Sequence, residues 1–172
     1  MEIRSIGIIG AGTMGNGIAQ VAAGAGFDVI LLDINDAALE KGLVALSKSL
    51  DRLIKKESIT SEQKAQTLAR IKTTTLYTDL AAVSLVIEAA TENQAIKEKI
   101  LAQVDHVVSK ETIIASNTSS ISITHLASLN SRPERFIGIH FFNPPPLMAL
   151  LEVIMGKETS PETLKVVLAM AS

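Results

Sequence analysis

The chain has 172 residues, no cysteine, 47% hydrophobic and 20% charged residues, and a formal net charge of -2. That balance describes a globular domain with a sizeable core and excludes disordered or collagen-like chains. So small a net charge offers no global field for nucleic acid or an anionic membrane, so any anionic ligand must be held locally, and the lack of cysteine removes disulfides, thiolate nucleophiles and zinc–sulfur sites.

No window approaches the ~18 consecutive apolar residues of a membrane span, and Met1-Glu2-Ile3-Arg4 runs straight into a strand-like segment. A cytoplasmic protein without membrane contacts is expected. Ser5–Ile9 is an apolar run closed by Gly10, and residues 14–25 carry Ile18, Val21 and Ala22 at helical spacing before Gly24 and Gly26 stop the helix. Residues 28–33, apolar between two aspartates, suit a strand covered on both faces, which implies a parallel sheet. After a cap at Asp36, Leu39, Leu43, Leu46, Leu50 and Leu53 step along a long helix that ends near Glu57. Thr60-Ser61-Glu62-Gln63 has the spacing of a capping box and opens a helix to about Arg70, followed by a strand over 71–75.

Residues 85–88 read as another strand, and Ile96, Ile100, Val104 and Val107 stripe a second amphipathic helix. A strand over 112–115 and a short helix over 121–129 follow. Strands over 136–140 and 150–154 flank the breaker Asn143-Pro144-Pro145-Pro146, and Ser160-Pro161-Glu162 opens a last helix with serine as cap and proline at its first position. This alternation specifies an α/β fold, a doubly wound and mostly parallel sheet of the Rossmann type, with residues 1–172 in one domain.

The first turn, Gly10-Ala11-Gly12-Thr13-Met14-Gly15, has glycine where such a turn bends, where its backbone meets a pyrophosphate, and where helix packs on strand. Thr13 and Met14 then stand at the helix start, whose amides and dipole favour phosphate. Asp33, eighteen residues after Gly15, can accept both ribose hydroxyls, and no arginine at Ile34 or Asn35 would offset a ribose phosphate. NAD is therefore favoured over NADP. The alternatives are a purely structural turn and a solvated aspartate.

Polar residues cluster where later strands should end: Glu92, then Asn117-Thr118-Ser119-Ser120, then His140 and Asn143. In an open parallel sheet these carboxyl ends line the ligand crevice. His140 can act as a general acid/base with Ser119 as hydrogen-bond partner, and Glu152 on the next strand can fix its tautomer. The alternative is a structural histidine satisfied by its neighbours.

The runs Ala115-Ser116-Asn117-Thr118-Ser119-Ser120, His140-Phe141-Phe142-Asn143-Pro144 and Leu151-Glu152-Val153-Ile154 resemble the 3-hydroxyacyl-CoA dehydrogenases. Ile87-Glu88-Ala89-Ala90-Thr91-Glu92-Asn93 and Arg132-Pro133-Glu134-Arg135-Phe136 extend the resemblance toward the short-chain bacterial 3-hydroxybutyryl-CoA dehydrogenases. The resemblance implies that His140 takes the hydroxyl proton as hydride leaves for NAD, that Glu152 stabilises the imidazolium, and that Ser119 bonds the reacting oxygen. It also implies that Glu92 and Lys97 contact the nicotinamide-side ribose, with Lys97 exposed on its helix, and that Asn143 lies beside nicotinamide and substrate. Ser49 and Lys56 match positions that contact the CoA of the acyl-CoA substrate, although charge runs such as Lys55-Lys56-Glu57 are commonly solvated faces.

Two features depart from the family pattern. Pro145 replaces a small aliphatic residue and should stiffen the loop that carries Asn143. Family members also continue with another strand and a helical domain that supplies a further catalytic asparagine, closes over the acyl chain and makes homodimer contacts. The expectation is an incomplete NAD-binding domain that binds NAD with little turnover and self-associates through its sheet edge. The competing readings are a stand-alone NAD-binding regulatory module and another β-hydroxyacid dehydrogenase.

Overall fold

A computed structural model describes residues 1–172. Seven strands, β1 (Ser5–Ile9), β2 (Asp28–Leu32), β3 (Ile71–Thr74), β4 (Leu85–Glu88), β5 (Ile113–Ser116), β6 (Phe136–Phe141) and β7 (Leu151–Met155), form one sheet in the order β3-β2-β1-β4-β5-β6-β7. All neighbouring pairs are parallel except β6 and β7. Six helices join them: α1 (Thr13–Gly24), α2 (Asp36–Lys55), α3 (Ser61–Ala69), α4 (Gln94–Val107), α5 (Ile123–Ser128) and α6 (Pro161–Ala171). The doubly wound sheet expected from the alternating pattern is the observed fold.

The central strands are apolar throughout because they are covered twice. On one face Ile6, Ile8, Val29, Leu31 and Ile87 pack with α1, α2 and α6, through Ile18, Leu39, Leu46, Leu50 and Val167. On the other, Ile9, Leu32, Val86, Ile114 and Phe136 pack with α4 and α5, through Leu101, Val104 and Leu126. Period-two alternation thus feeds two cores from one sheet.

Local chemistry sets the element ends. Thr60 and Gln63 form the reciprocal capping box expected of α3. Ser160 caps α6 with proline at its first turn. The cap of α2 is Asn35 rather than Asp36: the Asn35 side chain accepts from the Ala38 amide at 2.9 Å, which leaves Asp36 inside the first turn, where its charge faces the positive helix end. Likewise α5 begins after Ser122, whose hydroxyl accepts from the His125 amide, two residues later than its apolar pattern suggests. Two 3₁₀ turns, Tyr77–Leu80 and Pro133–Arg135, are too short to leave a periodic signal. No helix is long and apolar enough to cross a membrane. Strands β3 and β7 are the sheet edges, and around β7 the side chains of Leu147, Met148, Leu150, Ile154 and Met155 are exposed.

Candidate active site

The carboxyl ends of the parallel strands carry the site in two parts. The first is the turn between β1 and α1. Gly10 sits at φ +101°, and a Cβ there would lie 2.7 Å from the Ala90 Cα. A Cβ on Gly15 would lie 1.6 Å from the Gly10 carbonyl oxygen, so helix and strand can meet this closely only through glycine. Gly12 faces open space and is the N-cap of α1, with no side chain capping the helix. The amides of the first turn, which includes Thr13 and Met14, therefore point outward without helical partners, as an incoming pyrophosphate requires. Asp33, just past β2, is held by amides: Ala11 donates to Oδ2 at 2.7 Å and Ile34 to Oδ1 at 2.6 Å. Each oxygen retains a lone pair for a ribose hydroxyl. These residues fit a dinucleotide.

Beneath this turn lies an ion pair that sequence reasoning missed. Lys97, expected at the helix surface, is instead 1% exposed, and its ammonium bonds to Glu88, itself 0% exposed. The Ser116 hydroxyl donates to the same Glu88 oxygen at 2.9 Å, and the Ala90 amide donates to the other at 2.9 Å. A carboxylate at the end of a fully buried strand demands a cation and further donors, and α4 delivers the cation. The network holds the Ala89–Ala90 backbone against Gly10. Charge spacing on α4 reads as a solvated face, but a lone glutamate ending an otherwise apolar strand was the available signal. Nearby, Tyr77 has its phenol pushed up by burial and by the charges of Asp33 and Glu88, so it stays neutral.

The second part is the edge formed by β6 and β7. Antiparallel register sets His140 directly opposite Glu152, and His140 Nδ1 lies 2.9 Å from Glu152 Oε2. A carboxylate only accepts, so Nδ1 carries the proton of this bond, and in the neutral ring Nε2 keeps the lone pair. The imidazole also meets the Phe142 ring, centroids 4.7 Å apart. A cavity of about 340 Å³ in front of it is lined by Thr118, Ser119, Ser120, Ser122, His140 and Glu152. Its hydroxyl-rich floor is fixed from Glu92, whose Oε2 accepts from Thr118 at 2.9 Å and from Ser120 at 3.3 Å. Asn117, buried, accepts the Phe141 amide at 2.8 Å and so ties the end of β6 to β5.

The fold thus gathers Ser119, His140, Glu152 and Glu92. Asn143 stands outside this cavity, exposed in the loop after β6, where Pro145 is buried against Gly17. Ser49, half-buried, and Lys56, exposed at the end of α2, lie apart from it on the helical face.

Comparison with known proteins gives the family. The family model described as 3-hydroxyacyl-CoA dehydrogenase, NAD binding domain, matches residues 5–172. A 3-hydroxybutyryl-CoA dehydrogenase of Bradyrhizobium diazoefficiens is 50% identical over 161 residues, covering 94% of this chain and 55% of that protein. The crystal structure of an (S)-3-hydroxybutyryl-CoA dehydrogenase from Ralstonia eutropha is similar with a TM-score of 0.97 and 58% identity, over 99% of this chain and 60% of that one. A fatty acid oxidation complex subunit alpha of a Psychrobacter species is 42% identical over 170 residues, which is 24% of its own length. The chain therefore spans little more than half of the first two relatives. The preference for NAD inferred from Asp33 agrees with the family model, and the chain belongs to the NAD-binding-domain family of the 3-hydroxyacyl-CoA dehydrogenases.

Proposed function

We propose that this domain serves an NAD-dependent (S)-3-hydroxyacyl-CoA dehydrogenase, acting on 3-hydroxybutyryl-CoA and its 3-oxoacyl counterpart. The observation that carries the reading is the His140–Glu152 pair, facing a hydroxyl-lined cavity at the strand ends that also carry the glycine turn. When bound, the nicotinamide supplies the hydride acceptor or donor. His140 Nε2 takes the proton of the substrate hydroxyl in oxidation and returns it to the oxygen in reduction. Glu152 holds the ring by Nδ1 and stabilises the imidazolium formed at that moment. Ser119, on the cavity wall, donates to the reacting oxygen. Glu92 keeps this wall in place through Thr118 and Ser120 and turns its free oxygen to the nicotinamide-side ribose. Lys97 supports the same ribose end through Glu88 rather than by touching the sugar.

Asn143 reaches nicotinamide and substrate once its loop is covered by the remainder of a longer enzyme, and Ser49 with Lys56 contacts the CoA moiety. On this reading residues 1–172 bind NAD, and turnover at full rate requires a helical domain that also forms a homodimer. Alone, the chain associates through the β7 edge and the apolar side chains beside it. Assay of NADH oxidation with acetoacetyl-CoA tests the reading: slow turnover that His140→Ala abolishes is expected. Turnover at the rate of a longer relative, or turnover indifferent to His140→Ala, would contradict it. A regulatory NAD-binding module is the second reading, and retention of Ser119, His140 and Glu152 around one cavity weighs against it.

A further inference from the structure

Three consecutive hydroxyls, Thr118, Ser119 and Ser120, line the His140 cavity, and they do different things. Thr118 is 5% exposed, and its hydroxyl uses its whole capacity of one donor and two acceptor positions. It donates to Glu92 Oε2 at 2.9 Å and accepts from the Ile121 amide at 3.0 Å and the Ser120 amide at 3.3 Å. Its own amide donates to Ser116 Oγ at 3.3 Å, and that hydroxyl donates in turn to the buried Glu88. Ser120 is exposed and adds a longer bond, 3.3 Å, to the same Glu92 oxygen. Ser119 lies between the two, exposed, with its hydroxyl bound to nothing else in the chain. Thr118 therefore has no hydrogen-bonding capacity left for a substrate. Its partners are Glu92, the network at the ends of β4 and β5, and the backbone that follows Ser119.

We propose that Thr118 is a positioning residue that couples cofactor to substrate. With one hydroxyl it orients the Glu92 carboxylate, whose free oxygen meets the ribose, and shapes the loop that aims Ser119 at the reacting oxygen. The proposal rests on the dehydrogenase reading, in which those two contacts are made, and goes beyond it in joining them. A ribose hydroxyl on Glu92 Oε1 fixes the carboxylate, and Oε2 then presents a fixed acceptor to Thr118. That turns the Thr118 lone pairs onto the Ser120 and Ile121 amides, and the loop loses its freedom to swing Ser119 away. Ser119 and Ser120 are exposed and bury no apolar side chain, so hydrogen bonds rather than packing order their backbone. The linkage is reciprocal: the ordered loop favours cofactor by the same factor as cofactor favours the ordered loop. Valine has the shape of threonine and none of these side-chain bonds, so at 118 it would strand two amides and leave Glu92 with the longer Ser120 bond alone.

The test is amide hydrogen exchange followed by NMR on the full chain, with and without NADH, for the wild type, Thr118→Val, Thr118→Ser and Ser120→Ala. In the wild type, saturating NADH should slow exchange of the Ser120 and Ile121 amides about fivefold or more. Thr118→Ser, which keeps the hydroxyl, should retain that response, and Thr118→Val should abolish it. Ser120→Ala, at an exposed position whose side chain caps no amide, should reduce it. The slow acetoacetyl-CoA turnover should fall about tenfold or more in kcat for Thr118→Val with little change in the KM of the thioester, because Ser119 is displaced and the thioester is not. A loop that Thr118 merely caps would instead exchange faster in Thr118→Val and still slow on NADH binding by the wild-type factor, which would overturn the proposal. Exchange that ignores NADH in the wild type would overturn it too, and so would loss of the response in Thr118→Ser. If Thr118→Val does not fold, Ser120→Ala decides, and an undiminished response there is contrary. In all these cases NADH binding and turnover abolished by His140→Ala keep the dehydrogenase reading standing, whereas absence of NADH binding or turnover indifferent to His140→Ala would remove that reading itself.

Discussion

At the glycine turn the contacts are backbone against backbone: a Cβ on Gly15 would enter the Gly10 carbonyl, and Gly10 itself lies against Ala89 and Ala90, which the buried Glu88–Lys97 pair holds in place. At the opposite side of the same sheet end, His140 and Glu152 are 19% and 52% exposed and meet through one side-chain hydrogen bond at the edge strand. The cofactor half is part of the core, so changing it threatens the fold. The His140–Glu152 half is laid on a finished edge, so changing it should threaten only the proposed chemistry.

Gly15→Ala gives the largest expected effect. It should cost about 4 kcal/mol or more by urea unfolding, because backbone cannot yield as a flexible side chain does. Gly12→Ala, with nothing within 4 Å of the added methyl, should leave the midpoint unchanged and still weaken NADH binding at least tenfold by blocking the approach to the pyrophosphate. Equal stability of the two variants would break the comparison. Lys97→Met should cost about 3–5 kcal/mol by stranding Glu88, and the double variant Glu88→Gln/Lys97→Met should recover most of that. NADH affinity that recovers in the double variant fits a supporting role, and affinity that stays low would show direct contact between Lys97 and ribose.

His140→Ala and Glu152→Gln should each change unfolding free energy by less than about 1 kcal/mol, as exposed pairs do. The residual acetoacetyl-CoA turnover should fall about 10²–10⁴-fold for His140→Ala. The smallest effect concerns the anchored start of β6, where Asp105 and Arg132 pair at 2.9 Å. Burial alone would raise the Asp105 carboxyl, but hydrogen bonds from Ser131 and Arg132 and the Arg132 charge outweigh it and hold the carboxyl below its ordinary range. Its folded value is depressed, so its stabilisation is complete above the ordinary carboxylate range and is lost as pH falls through the folded value. Asp105→Asn should therefore lower stability at neutral pH and flatten the acid side of the profile, measured by urea unfolding at stepped pH.

What the sequence revealed follows the same division. Gly10, Gly12, Gly15 and Asp33 were legible because a tight turn and a ribose admit few residue types there. His140 and Glu152 were legible as strand-end polar residues, and their pairing follows from antiparallel register. Lys97 was read as exposed because its partner Glu88 lies on another element, and helical spacing says nothing of contacts between elements. Asn35 and Asp36 are both good caps, and only the observed bond to Ala38 separates them.

The claim that residues 1–172 bind NAD on their own is tested most directly by calorimetric titration of NADH and NADPH into the wild-type chain and into His140→Ala. The expected result is equal NADH binding by both proteins, with NADPH at least tenfold weaker. NADPH binding as tight as NADH, or loss of NADH binding in His140→Ala, would contradict it.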